Sequence, residues 1–290
     1  MTNKIAIVIP FFNNSDYTIK CIESIVHDAN NLEICLYLID DGSSIENEYA
    51  VKSYLSDHHK TLNYKYKKGN GTWWWAKSLS IGLEEAYSDG FELFLMMNND
   101  NIIQKGSLNN LVNIFLDNYL EILGSIVVFK NNKIKHCGVV FDENTGKILH
   151  NHMYEDINTI KLKKDFIKTD SLGGQGVLIS KKVIEKLGYL DYEIFPQYGS
   201  DLDFYLRAKQ KGIEVYVTHQ SVIIDDEENT GLLKSEHRLS FSNFIKSFYS
   251  IKSHMSIFVK YNIYKRHVGN KYLIRLIFLY IKYIINFLLK

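Results

Sequence analysis

The fold is decided by the stretch ICLYLIDDGSS at residues 34–44. Its first part, residues 34–39, is apolar throughout, which is the pattern of a strand buried on both faces of a sheet. Its second part begins at Asp40 and consists of Asp, Gly and Ser, which are residues typical of a loop. A buried strand that ends in an acidic loop is typical of α/β sheets, in which ligands bind beyond the carboxyl ends of the strands.

The same pattern repeats on both sides of this stretch in the N-terminal half. Apolar runs are separated by segments in which apolar residues recur at helical spacing. The predicted elements are strands at 5–9, 34–39, 62–66 and 91–97, with helices at 17–26 and 76–87. This alternation predicts an α/β fold with a mostly parallel sheet, flanking helices and right-handed crossovers.

The C-terminal half continues the alternation until about residue 234, where the character of the sequence changes. The predicted elements are helices at 108–120, 181–186 and 202–211, with strands at 125–129, 177–179, 215–217 and 222–224. Residues 130–168 show no periodicity and are predicted to be irregular. We therefore expect a nucleotide-binding α/β domain at 1–233 and a helical tail at 234–290.

Three polar loops follow the first, second and fourth predicted strands. They are Pro10-Phe11-Phe12-Asn13-Asn14, Asp40-Asp41-Gly42-Ser43 and Asn98-Asn99-Asp100. Each loop taken alone is explained as an ordinary turn, because Asn, Asp, Gly and Ser favour turns. Three such loops at one edge of a parallel sheet indicate a ligand site.

The chain contains no glycine-rich phosphate loop of the Walker or dinucleotide type. The phosphates of a nucleotide bound at this edge would therefore need another counter-charge. A divalent cation held by Asp100 is the natural candidate, since Mg²⁺ and Mn²⁺ prefer carboxylate and phosphate oxygens.

A fourth polar cluster, YGSDLDFYLR, lies at residues 198–207, where a helix is predicted to begin. Ser200 and Asp203 fit the two positions of a capping box, and Asp203 is also spaced to pair with Arg207. Those roles leave Asp201 unexplained in the first turn of the helix. Its carboxylate is placed to face a ligand and to act as a general base.

Cysteine spacing and the distribution of charge indicate the location of the protein and the kind of partner that it binds. The three cysteines show no paired spacing, and the N-terminus leads into the first strand without a signal peptide. We therefore expect a cytoplasmic protein without structural zinc.

The net charge of +1 hides an asymmetry, because residues 234–290 contain eleven Lys and Arg residues and one acid. A basic tail on an acidic body predicts an anionic partner for the tail.

The tail contains two amphipathic segments. In the first, apolar residues between Phe241 and Phe258 recur at helical spacing. The second, residues 272–289, is almost wholly apolar, and the polar side chains in and beside it fall in one narrow helical stripe: Lys271, Arg275, Lys282 and Asn286. This pattern predicts a protein that is peripheral on the cytoplasmic face of an anionic membrane. The alternatives are a tail packed on the body and a tail buried in a homodimer.

These motifs resemble those of the family 2 glycosyltransferases. The resemblance covers roughly residues 5–232 and depends on the order and spacing of the segments. The segments are 7–13, 38–43 and 95–100 at the donor site, 173–179 behind the donor sugar, and 195–212 around the catalytic base. The tryptophan-rich stretch at 69–75 resembles that of rhamnosyltransferase-like members.

The resemblance implies a GT-A fold, a nucleoside-diphosphate-sugar donor and inversion at the anomeric carbon. It implies that Asp201 deprotonates the acceptor and that Asp100 binds the metal. Asp40, or alternatively Asp41, is implied as the contact to the nucleotide base. The other expected donor contacts are Pro10, Phe12, Asn13, Gly71, Asn98, Asn99 and Gly174.

Two departures from the family pattern concern the metal site. The first residue of the DxD-type motif is Asn98, so this motif offers a single carboxylate, Asp100. Many relatives have a metal-binding His where this chain has Asp225 and Asp226, and His219 lies slightly earlier. We predict a Mg²⁺ or Mn²⁺ site with Asp100, Asp225 and His219 as the candidate ligands.

Trp73, Trp74 and Trp75 lie at the start of a predicted helix. Three consecutive side chains there cannot all point inward, so we expect at least one indole to contact the donor sugar or the acceptor. The alternative is that the tryptophans serve core packing.

The function expected from these features is sugar transfer from dTDP-rhamnose or a UDP-hexose to a hydroxyl of a cell-surface polysaccharide or lipid-linked glycan. We expect no nucleic-acid partner. One alternative is an inactive sugar-nucleotide binder or assembly scaffold. Asn98 is consistent with this alternative, because it leaves the DxD-type motif with a single carboxylate. A nucleotidyltransferase is disfavoured, because residues 10–16 lack the Gly, Lys and Arg that would bind a triphosphate.

Overall fold

The computed structural model describes residues 4–29, 32–58, 60–160, 164–225 and 240–289. The strands in these ranges are β1 (Lys4–Phe11), β2 (Glu33–Asp40), β3 (Tyr64–Lys68), β4 (Leu93–Met96), β5 (Asn101–Ile103), β6 (Ile122–Phe129), β7 (Ile134–His136), β8 (Val139–Asp142), β9 (Lys147–His150), β10 (Phe166–Thr169), β11 (Val177–Ser180) and β12 (Val215–Asp225). The α-helices are α1 (Ser15–Asp28), α2 (Ile45–Asp57), α3 (Trp74–Ser88), α4 (Ser107–Asp117), α5 (Lys181–Leu187), α6 (Ser200–Gln210), α7 (Phe241–Ser247), α8 (Ile257–His267) and α9 (Tyr272–Leu288).

A large mixed sheet forms the centre of the molecule. Its strand order is β10-β12-β6-β11-β4-β1-β2-β3, with β5 paired to β12 and β7 paired to β6. Strand β1 is parallel to β2 and β4, and β6 is parallel to β12, whereas β10 and β11 run antiparallel to their neighbours. The predicted α/β class with a mostly parallel sheet is confirmed.

Strand β1 shows why the predicted strands are apolar throughout. Its odd-numbered isoleucines, from Ile5 to Ile9, face a core that contains α1 and α4, whereas Ala6 and Val8 face a second core that contains α3. Helices cover both faces of the sheet, so both sets of side chains are removed from water. Helix α3 lies so close that a Cβ at Gly82 would be 2.3 Å from Val8 Cγ1.

Two sequence predictions about the C-terminal half are wrong. Residues 130–168 contain β7, β8, β9 and most of β10. These strands have three or four residues each, which is too short to show a period. The two strands predicted at 215–217 and 222–224 are one strand, β12, with a bulge between Thr218 and Val222.

The tail packs on the sheet domain through α8. Val259, Ile263 and Tyr264 are buried in one cluster with Phe195 and Leu206 of the main domain. The first predicted amphipathic segment is two helices, α7 and α8, with turns between them. The predicted boundary between 233 and 234 falls outside the described residues. No helix in the described ranges has the length and apolar character needed to cross a membrane.

Candidate active site

The carboxyl ends of β1, β2 and β4 lie at one edge of the sheet because these strands are parallel. In register, Phe11 pairs with Asp40, and Val8 pairs with Met96. Strand β11 begins at the same edge, since it is antiparallel and Val177 pairs with Met96. The structure therefore brings the three polar loops and the glycine stretch before β11 to one edge, as the sequence predicts.

Hydrogen bonds join the loops after β1 and β2. The amide of Asn13 donates to Ser43 Oγ (2.7 Å), and Asn13 Oδ1 accepts from the amide of Ser44 (2.8 Å). The side chain of Phe12 is exposed beside this junction. The predicted end of the strand at Pro10 is wrong, because Pro10 is buried inside β1.

Asp40 is fully buried, and its carboxylate has two protein partners. It accepts hydrogen bonds from the amide of Ser43 (2.7 Å) and from the hydroxyl of Tyr66 on β3. The adjoining turn requires Gly42, because its φ is 78° and a Cβ there would lie 2.6 Å from the amide nitrogen of Gly71. Both oxygens of Asp40 are thus engaged by the protein, and its contact with a nucleotide base stays a prediction.

Asp41 binds the backbone at the start of α3. Its carboxylate accepts hydrogen bonds from the amides of Gly71 (3.1 Å), Trp73 (3.0 Å) and Trp74 (2.8 Å). Its negative charge also lies at the positive end of the helix dipole, which favours this position. Asp41 thereby fixes the tryptophan-rich loop against the edge of the sheet, with the exposed Gly71 at its tip.

The three tryptophans differ in their surroundings, and the contact of one of them with a sugar stays a prediction. Trp73 and Trp75 pack against the apolar core. The ring centroid of Trp74 lies 5.4 Å from Nζ of Lys252 in the tail, which is within cation–π distance. Trp74 has a φ of 57°, an unusual value for a bulky residue. Such outliers are found at functional sites, so Trp74 is the tryptophan best placed for a ligand contact.

Trp75 links the segment around the predicted catalytic base, residues 195–212, to the motif after β4. Its Nε1 donates to Asn98 Oδ1 (2.8 Å), and its amide donates to Gln197 Oε1 (3.2 Å). A Cβ at Gly174 would lie 2.1 Å from the Trp75 ring, so this packing requires glycine. Asn98 therefore accepts a hydrogen bond from the indole and is fixed beside the base-side segment.

Asn99 and Asp100 complete the motif after β4. Asn99 Nδ2 donates to Thr18 Oγ1 (3.0 Å), and Asn101 Nδ2 donates to Asp100 Oδ1 (3.4 Å). Asp225 is adjacent to this motif, because it pairs in register with Asn101 across β5 and β12. Two of the three candidate metal ligands, Asp100 and Asp225, are therefore neighbours at the same edge.

The third candidate ligand, His219, lies away from this pair. It is in the bulge of β12, which is level with Ser125 of β6, whereas Asp225 is level with Phe129, roughly 13 Å further along the strand. In the described part of the chain, no group of three His, Cys, Asp or Glu residues could hold a metal ion. The predicted three-residue set is thus not assembled, because β12 is one continuous strand that keeps His219 away from Asp225.

Four residues at the site were missed in the sequence. Asp225 Oδ2 accepts hydrogen bonds from Lys135 Nζ (2.7 Å) and Gln175 Nε2 (2.9 Å). The other two are Tyr66, which binds Asp40, and Gln197, which binds the start of α3. Gln175 and Gln197 lie inside quoted motifs and could have been found there, whereas Lys135 lies in the segment predicted to be irregular.

Asp201 lies in the first turn of α6. Burial raises the pKa of Asp201 to about 6, although hydrogen bonds from backbone amides, one of them from Leu202 (2.8 Å), act in the opposite direction. Burial and then the charge of Asp201 raise the pKa of Tyr198 and of Tyr205. A carboxylate with this pKa is a better proton acceptor than an exposed one and is still mostly ionised at pH 7.

The predicted capping box at the start of α6 is wrong. Gly199 occupies the N-cap position with a φ of 88°, a conformation that glycine adopts at low cost. Ser200 is instead the first helical residue, and its Oγ donates to the carbonyl of Gln197 (3.1 Å). The predicted pair of Asp203 with Arg207 is confirmed, with 2.8 Å between Asp203 Oδ2 and Arg207 Nε.

Two solved structures share the fold. One is GalNAc-T7 with UDP, GalNAc and Mn²⁺, with 12% identity and a TM-score of 0.58 over 77% of this chain and 44% of that chain. The other is the mannosyltransferase PcManGT from Pyrobaculum calidifontis in complex with GDP-Man and Mn²⁺, with 13% identity and a TM-score of 0.56 over 85% of this chain and 64% of that chain. At such low identity the likeness shows the fold alone, which is the predicted GT-A fold.

Sequence comparison gives the family. Over 73 residues the chain is 41% identical to an uncharacterized glycosyltransferase of Mycoplasma genitalium, and the match covers 24% of each chain. The chain thus spans about a quarter of this relative, and less than two thirds of each of the two solved structures. The model of the family described as Glycosyl transferase family 2 matches residues 6–188, more than half of the chain, and the chain therefore belongs to glycosyltransferase family 2.

Proposed function

We propose that this chain is an inverting transferase that moves a sugar from a nucleoside diphosphate to an acceptor hydroxyl, with Asp201 as the general base. The main support for this proposal is that burial raises the pKa of the Asp201 carboxylate to about 6. Asp201 belongs to the same segment as Gln197. The side chain of Gln197 accepts a hydrogen bond from the amide of Trp75, and this bond joins the segment to the tryptophan-rich loop. A base of this strength is matched to work near neutral pH.

Different side chains at this edge have different roles in an inverting displacement. The proton of the acceptor hydroxyl passes to Asp201 while its oxygen attacks the anomeric carbon, and the bond to the diphosphate breaks on the opposite face. Trp75, Asn98 and Gly174 form a packed wall that limits the positions open to the donor sugar. Orientation of this kind can contribute several kcal/mol to lowering the barrier.

Asp100 and Asp225 are the residues that would hold a divalent cation. Two carboxylates suit Mg²⁺ or Mn²⁺, which commonly takes its other ligands from phosphate and water. When bound, the ion neutralises negative charge on the leaving diphosphate. The presence of Mn²⁺ in both solved structures with this fold supports the proposal. Lys135, which pairs with Asp225, adds a positive charge at the same edge.

For the substrates, we propose dTDP-rhamnose or a UDP-hexose as the donor and a cell-surface polysaccharide or lipid-linked glycan as the acceptor. The tryptophan-rich loop at 69–75 supports a deoxyhexose donor. Trp74 supports an acceptor that approaches between this loop and the tail, because its ring lies beside Lys252.

We also infer that the protein attaches to the cytoplasmic face of an anionic membrane through α9. One side of α9, including Leu276, is packed on the rest of the protein. A second side is apolar and exposed, and it consists of Leu273, Ile274, Ile277, Phe278, Ile281, Ile284, Ile285 and Leu288. The basic stripe of Lys271, Arg275 and Lys282 borders this exposed side. An apolar face beside a basic stripe suits the interface of an anionic bilayer.

A thermal-shift screen of nucleotide sugars, with and without Mn²⁺, tests the proposed function. We expect one donor to raise the melting temperature when Mn²⁺ is present. Slow hydrolysis of that donor, with water as the acceptor, should release a sugar with inverted anomeric configuration, as measured by NMR. Release with retained configuration would contradict the role of Asp201. Tight donor binding without any turnover would favour an inactive sugar-nucleotide binder.

A further inference from the structure

Two helices of the tail, α7 and α9, pack against each other through aromatic rings. The rings of Phe244 on α7 and Phe287 on α9 are stacked, with 3.9 Å between their centroids and 8° between their planes. The ring of Phe248, directly after α7, lies 5.7 Å from the rings of both Tyr280 and Tyr283 on α9. As the chain advances from Phe244 to Phe248, its partners on α9 go back from Phe287 to Tyr280. The two helices are therefore antiparallel.

Each helix also has an exposed apolar side, and the two sides occupy equivalent positions. On α7, Ile245 is exposed and directly follows the packed Phe244. On α9, Ile281, Ile284 and Leu288 are exposed, and each directly follows a residue that packs against α7. One residue corresponds to a rotation of about 100° around a helix. Because the helices are antiparallel and both have the same hand, equal rotations from the contact bring the exposed residues to the same side of the pair.

The exposed sides of the two helices join into one surface. Phe241, in the first turn of α7, is exposed, and its ring centroid lies 6.4 Å from that of Phe287 on α9. A contiguous apolar surface of this kind marks an interaction site. We call it the two-helix surface, and it consists of Phe241, Ile245, Ile281, Ile284 and Leu288.

The charges around the two-helix surface indicate its partner. Lys246 of α7 and Lys282 of α9 are exposed and lie on the sides of the helices that are turned away from each other. Residues 240–289 contain no Asp or Glu. A second copy of the same surface would therefore bring lysines together without acids to pair with them. An anionic bilayer suits the surface better, because it takes up the apolar side chains and attracts the lysines at both flanks.

We propose that α7 and α9 together form one membrane-binding surface, with both helices lying in the interface of an anionic bilayer. The proposal rests on the membrane attachment proposed for α9, and it adds a second helix and an orientation. Lys252 follows α7 by five residues and lies beside Trp74 of the tryptophan-rich loop, with 5.4 Å between its Nζ and the ring centroid. Insertion of α7 would therefore hold this loop near the bilayer surface.

The first test measures the depth of both helices with nitroxide spin labels on Ile245→Cys and Ile281→Cys variants of the full chain. The natural cysteines, Cys21, Cys35 and Cys137, are buried and should not react with the label. On addition of phosphatidylglycerol vesicles, we expect both labels to become more accessible to oxygen and less accessible to a water-soluble nickel chelate. A label on Ile45→Cys in α2 is the control and should not change. If the label at residue 245 stays accessible to the chelate while the label at 281 becomes protected, the proposal is overturned.

The second test measures affinity. Replacing Phe241 and Ile245 together by Ser should weaken vesicle binding about 10-fold to 100-fold, because two apolar side chains no longer enter the bilayer. The melting temperature should stay unchanged, since both residues are exposed. Ile45→Ser, at an exposed isoleucine of α2, is the matched control and should bind vesicles as the wild type does.

The outcomes separate α7 from α9 and from other partners. Wild-type affinity in the double variant, with binding still lost when the α9 isoleucines are replaced, would overturn the role of α7 and leave attachment through α9 standing. Absence of vesicle binding by the wild type would contradict both. A dimer in buffer that the double variant converts to a monomer, as measured by analytical ultracentrifugation, would overturn the proposal in favour of a second copy of the chain. None of these measurements uses a donor, so their failure is distinct from failure of sugar transfer.

Discussion

Asp201 and Asp203 lie two residues apart on α6 and differ in what surrounds them. Asp203 is fully buried and accepts hydrogen bonds from Arg207 (2.8 Å), Arg266 (3.1 Å) and His267 (2.9 Å). Burial opposes ionisation, but these bonds hold the pKa of Asp203 below its ordinary value. No cation pairs with Asp201 in the described residues, so burial raises its pKa. Asp203 is therefore suited to stabilise the fold, whereas Asp201 is suited to accept a proton.

The first prediction exchanges the two carboxylates for amides. Asp201→Asn keeps the shape and cannot accept a proton, so kcat should fall by about 10²–10⁴-fold with donor affinity nearly unchanged. Asp203→Asn removes the charge of a fully buried carboxylate that pairs with the half-buried Arg207 and Arg266, and it should lower the free energy of unfolding by about 3–5 kcal/mol. Steady-state kinetics and denaturant unfolding measure the two effects. An active Asp201→Asn enzyme alongside a folded but inactive Asp203→Asn enzyme would show that the wrong carboxylate was chosen.

The second prediction is a pH dependence. Because the base must be ionised, kcat/KM should rise with pH and level off above about 6, the pKa of Asp201. The folded pKa lies above the ordinary pKa of 3.8, so the folded protein binds more protons between these two pKa values. The contribution of Asp201 to stability should therefore fall as pH rises from about 4 to about 6. Asp201→Asn should remove this part of the pH dependence of the melting temperature, and an unchanged dependence would contradict the assignment.

The third prediction concerns the cation. Asp100→Ala removes a carboxylate beside Asp225, and it should abolish the effect of Mn²⁺ on donor binding. Excess EDTA should stop turnover of the wild-type enzyme. Asp117→Ala, at an exposed aspartate that ends α4, is the matched control and should bind donor with Mn²⁺ as the wild type does. Full activity in EDTA would contradict the metal site.

At the scale of elements, α9 uses its surface in three ways. Its packed side joins the cluster around Val259 and Tyr264 of α8, its exposed side is apolar, and its basic stripe faces solvent. The sequence predicts one broad apolar face on this helix. The structure divides that face, since part of it is needed to attach the helix to the protein. The alternative of a tail packed on the body therefore describes one side of α9, and membrane attachment through the exposed side stays a prediction.

The fourth prediction addresses the exposed side of α9. Replacing Ile277, Ile281 and Ile284 together by Ser should strongly reduce co-sedimentation with phosphatidylglycerol vesicles, because each buried isoleucine contributes about 1.5–3 kcal/mol. High salt should weaken binding of the wild type, since each Lys or Arg contributes about 1 kcal/mol near an anionic surface. Ile45→Ser, at an exposed isoleucine on α2, is the matched control. Absence of wild-type binding at low salt would end the membrane proposal.

At the scale of the whole molecule, the tail and the sheet domain share buried contacts. Arg266 also pairs with Asp191, so one tail residue contacts two acids of the main domain, Asp191 and Asp203. The apolar cluster around Ile263 packs against the segment just before α6. Removing the tail would therefore expose apolar surface and leave Asp203 short of two partners. We expect a chain that ends at residue 239 to melt much lower than the full chain.

The fifth prediction tests this coupling without truncation. Ile263→Ala on the buried side of α8 should lower the free energy of unfolding by about 2–5 kcal/mol, because it leaves a cavity between the tail and the domain. Ile257→Ala, at an exposed isoleucine of the same helix, should change it by no more than about 0.5 kcal/mol. Denaturant unfolding followed by fluorescence measures both. Similar small effects from both variants would show that α8 is not part of the folded core.

Local sequence was enough to predict the α/β class, the chain order of the first strands and helices, and the edge of the sheet at which the three polar loops lie. The central residues of strands such as β1 and β2 are buried on both faces and are therefore apolar, and parallel pairing then aligns the polar loops that follow them. The pairing of Asp203 with Arg207 was also predictable, because residues four apart lie together on a helix. These features depend only on periodicity and on residues close together in the chain.

The tertiary structure decided the rest, because it depends on residues far apart in the chain. Pairing with β6 makes β12 one continuous strand, which keeps His219 away from Asp225, and a hydrogen bond from Trp75 orients Asn98. The pKa of Asp201 is likewise set by burial, which the sequence around it does not encode, since Asp203 two residues later has a lowered pKa.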